Sequence, residues 1–244
     1  MFSNNKNNKI SIIFPYYKNP IMLEKQIEIW KTYPDNIEII LVDDGSPLGL
    51  RAEEVIDNKK ISLNNFQLYR ILVDIPWNMS GARNTGVKFA NNKWILWCDI
   101  DHIIPIETIN ALSNLKLDEN KNYNFKRRYY FEENGGKGEK EPHRETLLLN
   151  KKLLKKIIGF DESFTGVYGF PERDFFDRLD MKYKKEILNL YIEYVQRRKI
   201  QDSCTDSIDR KENRDFNDLE NIKIWKKENK IGISVCKFPY KKII

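Results

Sequence analysis

A short apolar run that ends in two acidic residues constrains this chain more than any other feature. Residues 94–98 read Trp-Ile-Leu-Trp-Cys, and Asp99 and Asp101 follow directly. The run has the length of a buried strand, bounded by Asn91 before it and Pro105 after it. Side chains alternate along an extended chain, so both carboxylates can point the same way. They could hold a divalent cation, although acids are also common where a strand turns into solvent.

Two earlier apolar runs end in polar residues in the same manner. Residues 9–15 lead into two tyrosines, and residues 37–42 lead into two aspartates. Helical spacing of apolar residues over 21–33, and a helix with small residues over 80–90, alternate with these strands. This order predicts an α/β domain with a mixed, mainly parallel sheet and helices on both faces. In such sheets the ligand-binding residues meet beyond the carboxyl ends of the strands.

The second half of the chain has a different character. Residues 123–131 are aromatic and basic and predict a strand, and residues 186–195 also have an extended pattern. Residues 132–141 are rich in Gly, Lys and Glu, which predicts a loop. A proline and two acids open a predicted helix over 171–183. The charged segment 196–229 shows no clear pattern.

Composition narrows the class of protein. The net charge of +6 is the balance of 42 basic and 36 acidic residues, too small by itself to predict a nucleic-acid partner. It suits a nucleotide-sugar, an acidic glycan or a membrane surface. Three distant cysteines predict neither a disulfide framework nor a zinc site. With no signal-peptide core and no apolar run near the ~18 residues of a membrane span, we expect a soluble, cytoplasmic protein, and peripheral membrane contact stays open.

A series of motifs gives the chain a resemblance to a known enzyme family. The motifs stand at residues 10–17, 38–46, 81–86, 98–101, 159–166 and 171–179. In this order and spacing the chain resembles the inverting family 2 glycosyltransferases with the GT-A fold. The last two motifs also resemble those of the β-1,4-galactosyltransferases.

The resemblance implies a domain organisation. A GT-A, Rossmann-like domain is expected over 1–195, with a donor half at about 9–105 and an acceptor half at about 106–195. Residues 196–244 lie outside the resemblance, and we expect this charged C-terminal extension to pack on the same domain.

The resemblance also implies roles for residues near the nucleotide. Pro15, Tyr16 and Tyr17 match the first-strand loop that lies along the nucleoside. Asp43 and Asp44 match the acidic pair that contacts the base or the ribose.

Further matches imply the metal site and the catalytic base. Arg83 matches an arginine that lies against the nucleotide. Asp99 and Asp101 match the Asp-x-Asp motif that holds Mn²⁺ or Mg²⁺ and the sugar-nucleotide, with Asp101 favoured for the metal and Asp99 for donor contact. Glu172 stands where the family has its catalytic Asp, and Asp174 follows two residues later.

Two departures from the family pattern leave alternatives open. Glu172 is longer than Asp, so the base could have shifted to Asp174, which could instead pair with Arg178 in the same helix. No histidine follows Pro171, where many relatives have a further metal ligand. His102, beside the acidic pair, could ligate the metal or simply form a hydrogen bond.

Together these motifs predict a metal-dependent, inverting transferase. It would move a sugar from a nucleotide-diphosphate sugar, with a UDP-sugar favoured, to a hydroxyl of a glycan or glycoconjugate. One alternative is a nucleotide-sugar or glycan-binding module that has lost catalysis. The other is a sugar nucleotidyltransferase, which would need a Gly-rich basic loop after the first strand that this chain lacks.

Overall fold

A computed structural model describes residues 7–58, 63–75, 77–130, 137–166, 168–195 and 216–244. Its strands are β1 Ile10–Tyr16, β2 Ile37–Asp43, β3 Phe66–Ile71, β4 Trp94–Trp97, β5 His102–Ile103, β6 Lys121–Tyr130, β7 Lys137–Lys140, β8 Leu147–Asn150, β9 Lys184–Val195 and β10 Tyr240–Lys242. Its helices are α1 Pro20–Trp30, α2 Ala52–Asn58, α3 Met79–Phe89, α4 Ile106–Asn114, α5 Lys151–Ile157, α6 Phe170–Asp180 and α7 Phe216–Glu228. Within these ranges no helix is both long enough and apolar enough to cross a bilayer.

The strands form one mixed sheet. Its order is β10-β3-β2-β1-β4-β8-β6-β9-β5, and β7 pairs with β6 beside this path. Strands β3, β2, β1 and β4 are parallel, and parallel pairing returns between β6 and β9. The remaining pairs are antiparallel. The predicted α/β architecture is confirmed, with its parallel character concentrated in the first half of the chain.

Strand β1 is buried on both faces, as expected for the centre of a parallel sheet. Ile12 and Phe14 belong to the core cluster that contains Trp30 of α1, and the Phe14 and Trp30 rings lie 4.8 Å apart. Ile13 points to the other face, in the cluster that contains Ala82 of α3. The alternation along β1 therefore places helices on both faces of the sheet, as predicted.

Glycines allow helix α3 to lie close to β1. A Cβ atom on Gly86 would stand 2.3 Å from Cγ2 of Ile13, closer than two carbon atoms can pack. A Cβ on Gly81 would meet the Asn78 side chain at 2.6 Å. The small residues of this helix therefore set the depth at which it carries Arg83 into the interior.

The structure corrects part of the predicted loop over 132–141. Lys137–Lys140 form β7, which pairs antiparallel with β6, and residues 131–136 lie outside the described residues. A Cβ on Gly138 would meet the Tyr129 ring at 2.4 Å, so the glycine that suggested a loop instead lets the two strands approach. The helix α4 was also not predicted.

Residues 216–244 contact the motif at 159–166 and the edge of the sheet. Glu162, fully buried, accepts hydrogen bonds from the backbone N–H groups of Cys236 at 2.6 Å and Lys237 at 2.8 Å. Strand β10 pairs antiparallel with β3. Residues 196–215 of the expected extension lie outside the described part of the chain.

We expect Gly86→Ala to destabilise the protein. Alanine would ordinarily favour a helix interior by about 1 kcal/mol over glycine, but the clash with Ile13 should outweigh this and lower the free energy of unfolding by about 1–3 kcal/mol. Urea denaturation measures the change. Gly232→Ala is the matched control, because no atom lies within 4 Å of the added Cβ. Equal stability of the two variants would contradict the tight packing of α3.

Candidate active site

A buried arginine holds two carboxylates together. Arg83 of α3 is 1% exposed, and its Nη2 donates to Asp99 Oδ1 at 2.8 Å, while Nη1 lies 3.7 Å from Glu172 Oε1. Burial alone would lower the pKa of Arg83, but Asp99 and Glu172 raise it above its ordinary value. A charged guanidinium therefore links α3, the end of β4 and the start of α6.

Glu172 has the properties of a proton acceptor. It lies in the first turn of α6, after the left-handed Gly169 at φ 81° and Pro171. Neither of its buried carboxylate oxygens has a hydrogen-bond partner within the described ranges. Burial raises its pKa from 4.5 to about 7, against the opposing effect of Arg83. A base with a pKa near the working pH is well suited to proton transfer.

An open cavity of about 580 Å³ gives access to Glu172. Asp99 and His143 also line this cavity, together with the rings of Trp77 and Tyr168, which pack 4.4 Å apart. The cavity is therefore large enough for a small polar ligand. Its wall combines the predicted carboxylates of Asp99 and Glu172 with side chains that belong to none of the motifs.

A group of possible metal ligands lies at the same place. The ligand atoms of Asp99, His102 and His143 all lie within 4.8 Å of one another. The two imidazole rings stack at 4.1 Å, and burial together with His102 lowers the pKa of His143, which favours its neutral, metal-binding form. One carboxylate and two imidazoles suit a transition-metal ion better than Mg²⁺, which prefers oxygen ligands.

Asp101, the residue favoured for the metal from the sequence, is not in this group. Its Oδ1 lies 2.7 Å from Nδ1 of His102, an arrangement in which a carboxylate orients an imidazole ligand. Nε2 of His102 lies 3.5 Å from Nη1 of Arg127, so this long contact would have to open for His102 to coordinate. His102 itself is 2% exposed.

The residues predicted to contact the nucleoside lie together at the ends of β1 and β2, where Tyr16 pairs with Asp43. Pro15 is buried in the same strand. The Tyr16 hydroxyl donates to the Leu50 carbonyl at 2.7 Å, and the Tyr17 hydroxyl to Asp74 at 2.7 Å. Their side-chain hydroxyls are thus engaged within the chain, and their roles toward a nucleoside stay predictions.

The two members of the predicted acidic pair differ. Both oxygens of Asp43 accept backbone N–H groups, from Ser46 and from Ala52, each at 2.8 Å. Oδ1 of Asp44 is buried without a hydrogen-bond partner in the described residues, and burial followed by the charge of Asp43 raises its pKa. The geometry therefore favours Asp44 over Asp43 as an acceptor for a ligand.

Asp174 pairs with Arg178, the alternative to a catalytic role that the sequence left open. Its Oδ2 accepts from Nε of Arg178 at 2.9 Å, and Arg178 also donates to the Gly159 carbonyl at 2.8 Å. Asp174 does not line the cavity described above, whereas Glu172 does. Of the two predicted catalytic residues, only Glu172 is placed for chemistry in this cavity.

Sequence reasoning missed His143 and Trp77. No motif surrounds His143, but the chain has only two histidines and lacks one after Pro171, which is a signal that could have found it. Trp77 gave no signal, because its proximity to Tyr168 depends on how distant loops meet.

Comparison with known proteins shows the family of the chain. The family described as glycosyl transferase family 2 matches residues 11–179, a range that includes Arg83, Asp99 and Glu172. The chain belongs to this family. No curated protein sequence matches it.

Solved structures of similar fold include S. aureus TarS and a mannosyltransferase. Residues 1–349 of S. aureus TarS in complex with UDP-GlcNAc match with a TM-score of 0.65 and 18% identity over 88% of this chain and 65% of that one. The mannosyltransferase PcManGT from Pyrobaculum calidifontis, in complex with GDP-Man and Mn²⁺, matches with a TM-score of 0.58 and 16% identity over 79% and 58%. This family 2 chain thus has the predicted GT-A fold and spans less than two thirds of the TarS fragment. The likeness to galactosyltransferases stays a prediction.

The raised pKa of Glu172 makes stability depend on pH. A carboxyl whose pKa rises from 4.5 to about 7 on folding stabilises the protein below pH 4.5, and this contribution is lost as the pH rises through 7. Glu172→Gln removes this dependence, so the variant does not lose this stability as the pH rises. The melting temperature of the variant minus that of the unmodified protein should therefore be larger at pH 8 than at pH 5. Differential scanning calorimetry measures the difference at each pH, and a constant difference would contradict the assignment.

Proposed function

We propose that this chain is a metal-dependent, inverting glycosyltransferase that uses a nucleotide-diphosphate sugar. The observation that carries the proposal is Glu172, a buried carboxylate with a pKa of about 7 on the wall of an open cavity beside Asp99. Family membership and the nucleotide-sugars in the TarS and PcManGT structures support it, and the UDP-GlcNAc of TarS supports a UDP-sugar. The acceptor would be a hydroxyl of a glycan or glycoconjugate.

In the proposed reaction, Glu172 takes the proton of the acceptor hydroxyl as its oxygen attacks the anomeric carbon. The bond from that carbon to the diphosphate breaks in the same step, so the configuration inverts. General-base assistance of this kind typically contributes about 10²–10⁴-fold to the rate. Arg83 fixes Glu172 and Asp99 relative to each other before the substrate arrives.

We further propose Asp99, His102 and His143 as ligands of a divalent transition metal, with Mn²⁺ favoured over Mg²⁺. Asp101 would orient His102 from outside the coordination sphere. When bound, the cation supplies positive charge that stabilises the departing diphosphate. Asp44 is the proposed acceptor for an N–H group of the base, with Tyr16 and Tyr17 beside it.

A second candidate is a nucleotide-sugar-binding module without turnover. The substitution of Glu172 for the aspartate of the family favours it. Nucleotide-sugar binding without transfer or hydrolysis over a panel of donors and acceptors would decide for this alternative. A nucleotidyltransferase has no such support, because the loop after β1 lacks glycines.

We expect Glu172→Gln to lower kcat by about 10²-fold or more while the affinity for the nucleotide-sugar is retained, because the amide cannot accept the proton. In the unmodified protein, kcat should rise with pH through about 7, as Glu172 loses its proton. Asp174→Asn is the matched control: it weakens the Arg178 ion pair and the stability but should leave kcat largely intact. Full turnover by Glu172→Gln would refute the mechanism.

The proposed ligands can be tested without turnover. Electron paramagnetic resonance measures the affinity for Mn²⁺. Loss of a residue that only orients a ligand typically weakens metal binding by ~10–100-fold. His143→Ala removes a proposed ligand itself and should weaken Mn²⁺ binding by at least this much. Asp101→Asn should weaken binding within that range. Asp177→Asn, which changes a carboxylate of the same cavity outside the ligand group, should have no effect. Unchanged affinity in His143→Ala would exclude it as a ligand.

A further inference from the structure

Two basic side chains, one on β6 and one on β7, lie on the same face of the sheet beside the candidate metal group. This basic strand patch consists of Arg127 and Lys140, which both lie over the Tyr194 ring. In the described part of the chain neither forms an ion pair with a carboxylate, whereas other surface cations do, such as Lys121 with Glu186 and Arg144 with Asp180. The patch therefore carries positive charge that no described carboxylate neutralises.

The pairing of β6 with β7 brings these two charges together. Arg127 stands directly opposite Lys140 in the antiparallel register. Like charges at directly opposed positions destabilise a sheet. A negative charge bound beside the two cations would relieve this repulsion.

Tyrosine rings hold the cations of the patch. The Arg127 guanidinium lies 5.7 Å from the centroid of Tyr194, and Nζ of Lys140 lies 5.0 Å from that of Tyr194 and 5.2 Å from that of Tyr129. These cation–π contacts fix the side chains without cancelling their charge. Because cations occupy the rings, the rings are poorly placed to stack on nucleobases.

Arg127 connects the patch to the catalytic side of the molecule. Its Nη1 lies 3.5 Å from Nε2 of His102, and His102 stacks on His143, which lines the cavity. Nε of Arg127 is buried and has no hydrogen-bond partner among the described residues. A group bound next to the cavity on this side would meet a donor, Nε of Arg127, that no described acceptor satisfies.

We propose that the basic strand patch binds the acceptor through negatively charged groups, so that the acceptor of the proposed transfer is an anionic glycan. This inference rests on the proposed function. The shared chemistry is an oxyanion that arginine and lysine can bind, which could be the carboxylate of an acidic sugar or a phosphate within a glycan. A single-stranded nucleic acid fits less well, because such partners depend on free aromatic faces.

The test uses the full chain and three dextrans of equal length that carry carboxymethyl groups, phosphate groups or no charge. Biolayer interferometry at constant ionic strength should show at least one charged dextran binding about tenfold more tightly than the neutral one. Preference for the carboxymethyl or the phosphate form identifies the source of the negative charge. No preference for either charged dextran would overturn the proposal.

The variants separate the patch from general surface charge. Arg127→Gln with Lys140→Gln should weaken binding of the charged dextran by about tenfold. Lys155→Gln with Lys156→Gln removes the same charge from exposed positions on α5 and should change affinity by less than about threefold. The exposed single variant Lys140→Gln should show a partial loss and keeps the test valid if the double variant does not fold. Equal losses in both double variants, or tighter binding of a single-stranded oligo-dT, would refute the patch.

The proposed function is checked separately by thermal shift with UDP-sugars and Mn²⁺ on the same proteins. Absence of any donor-induced stabilisation would contradict the proposed function and leave the dextran result to stand on its own. Normal donor binding in the Lys140→Gln variant, which lies away from the proposed metal ligands, together with weaker binding of the charged dextran, is the expected outcome. Donor binding with no discrimination among dextrans would refute only the anionic acceptor.

Discussion

The candidate site depends on keeping the guanidinium of Arg83 buried and charged. A buried charge without partners is costly by several kcal/mol, so Asp99 and Glu172 stabilise the fold in addition to their proposed roles in chemistry. The helix that carries Arg83 is fixed on two other sides. Gly86 sets its contact with β1, and the Asn84 amide donates to the Phe160 carbonyl at 2.8 Å. Helix α3 is therefore the element around which the strand ends and the start of α6 are arranged.

Local signals explain what the sequence could predict. The β-branched runs of β1 and β2 and the run at Trp94 have their expected place in the sheet, because burial on both faces leaves a continuous apolar pattern. His143 could not be placed in this way, since its position depends on how the segment before β8 meets the end of β4. For the same reason β7 and β10, which pair with partners chosen by the fold, gave no local signal.

Carboxylates show a second limit of motif reading. Asp43 and Asp44 are adjacent and belong to one motif. The first accepts hydrogen bonds from two backbone N–H groups, whereas the second keeps a buried oxygen that no described donor reaches. Glu162 belongs to another motif of the family and is used to bind Asn84 and the backbone at Cys236. Residue type and spacing do not show whether a carboxylate stabilises the fold or is available to a ligand. This depends on which hydrogen-bond donors the folded chain places next to each oxygen.

The pairing of β10 with β3 affects how the chain can be shortened. Residues 240–242 cover the backbone N–H and C=O groups along the outer edge of β3, a strand of the parallel half of the sheet. An uncovered edge of this kind is a template for pairing with another chain. A fragment that ends before residue 240 keeps every residue of the candidate site but exposes this edge, through which it can self-associate. A shortened chain that stays monomeric must therefore extend beyond the last motif to include residues 240–242.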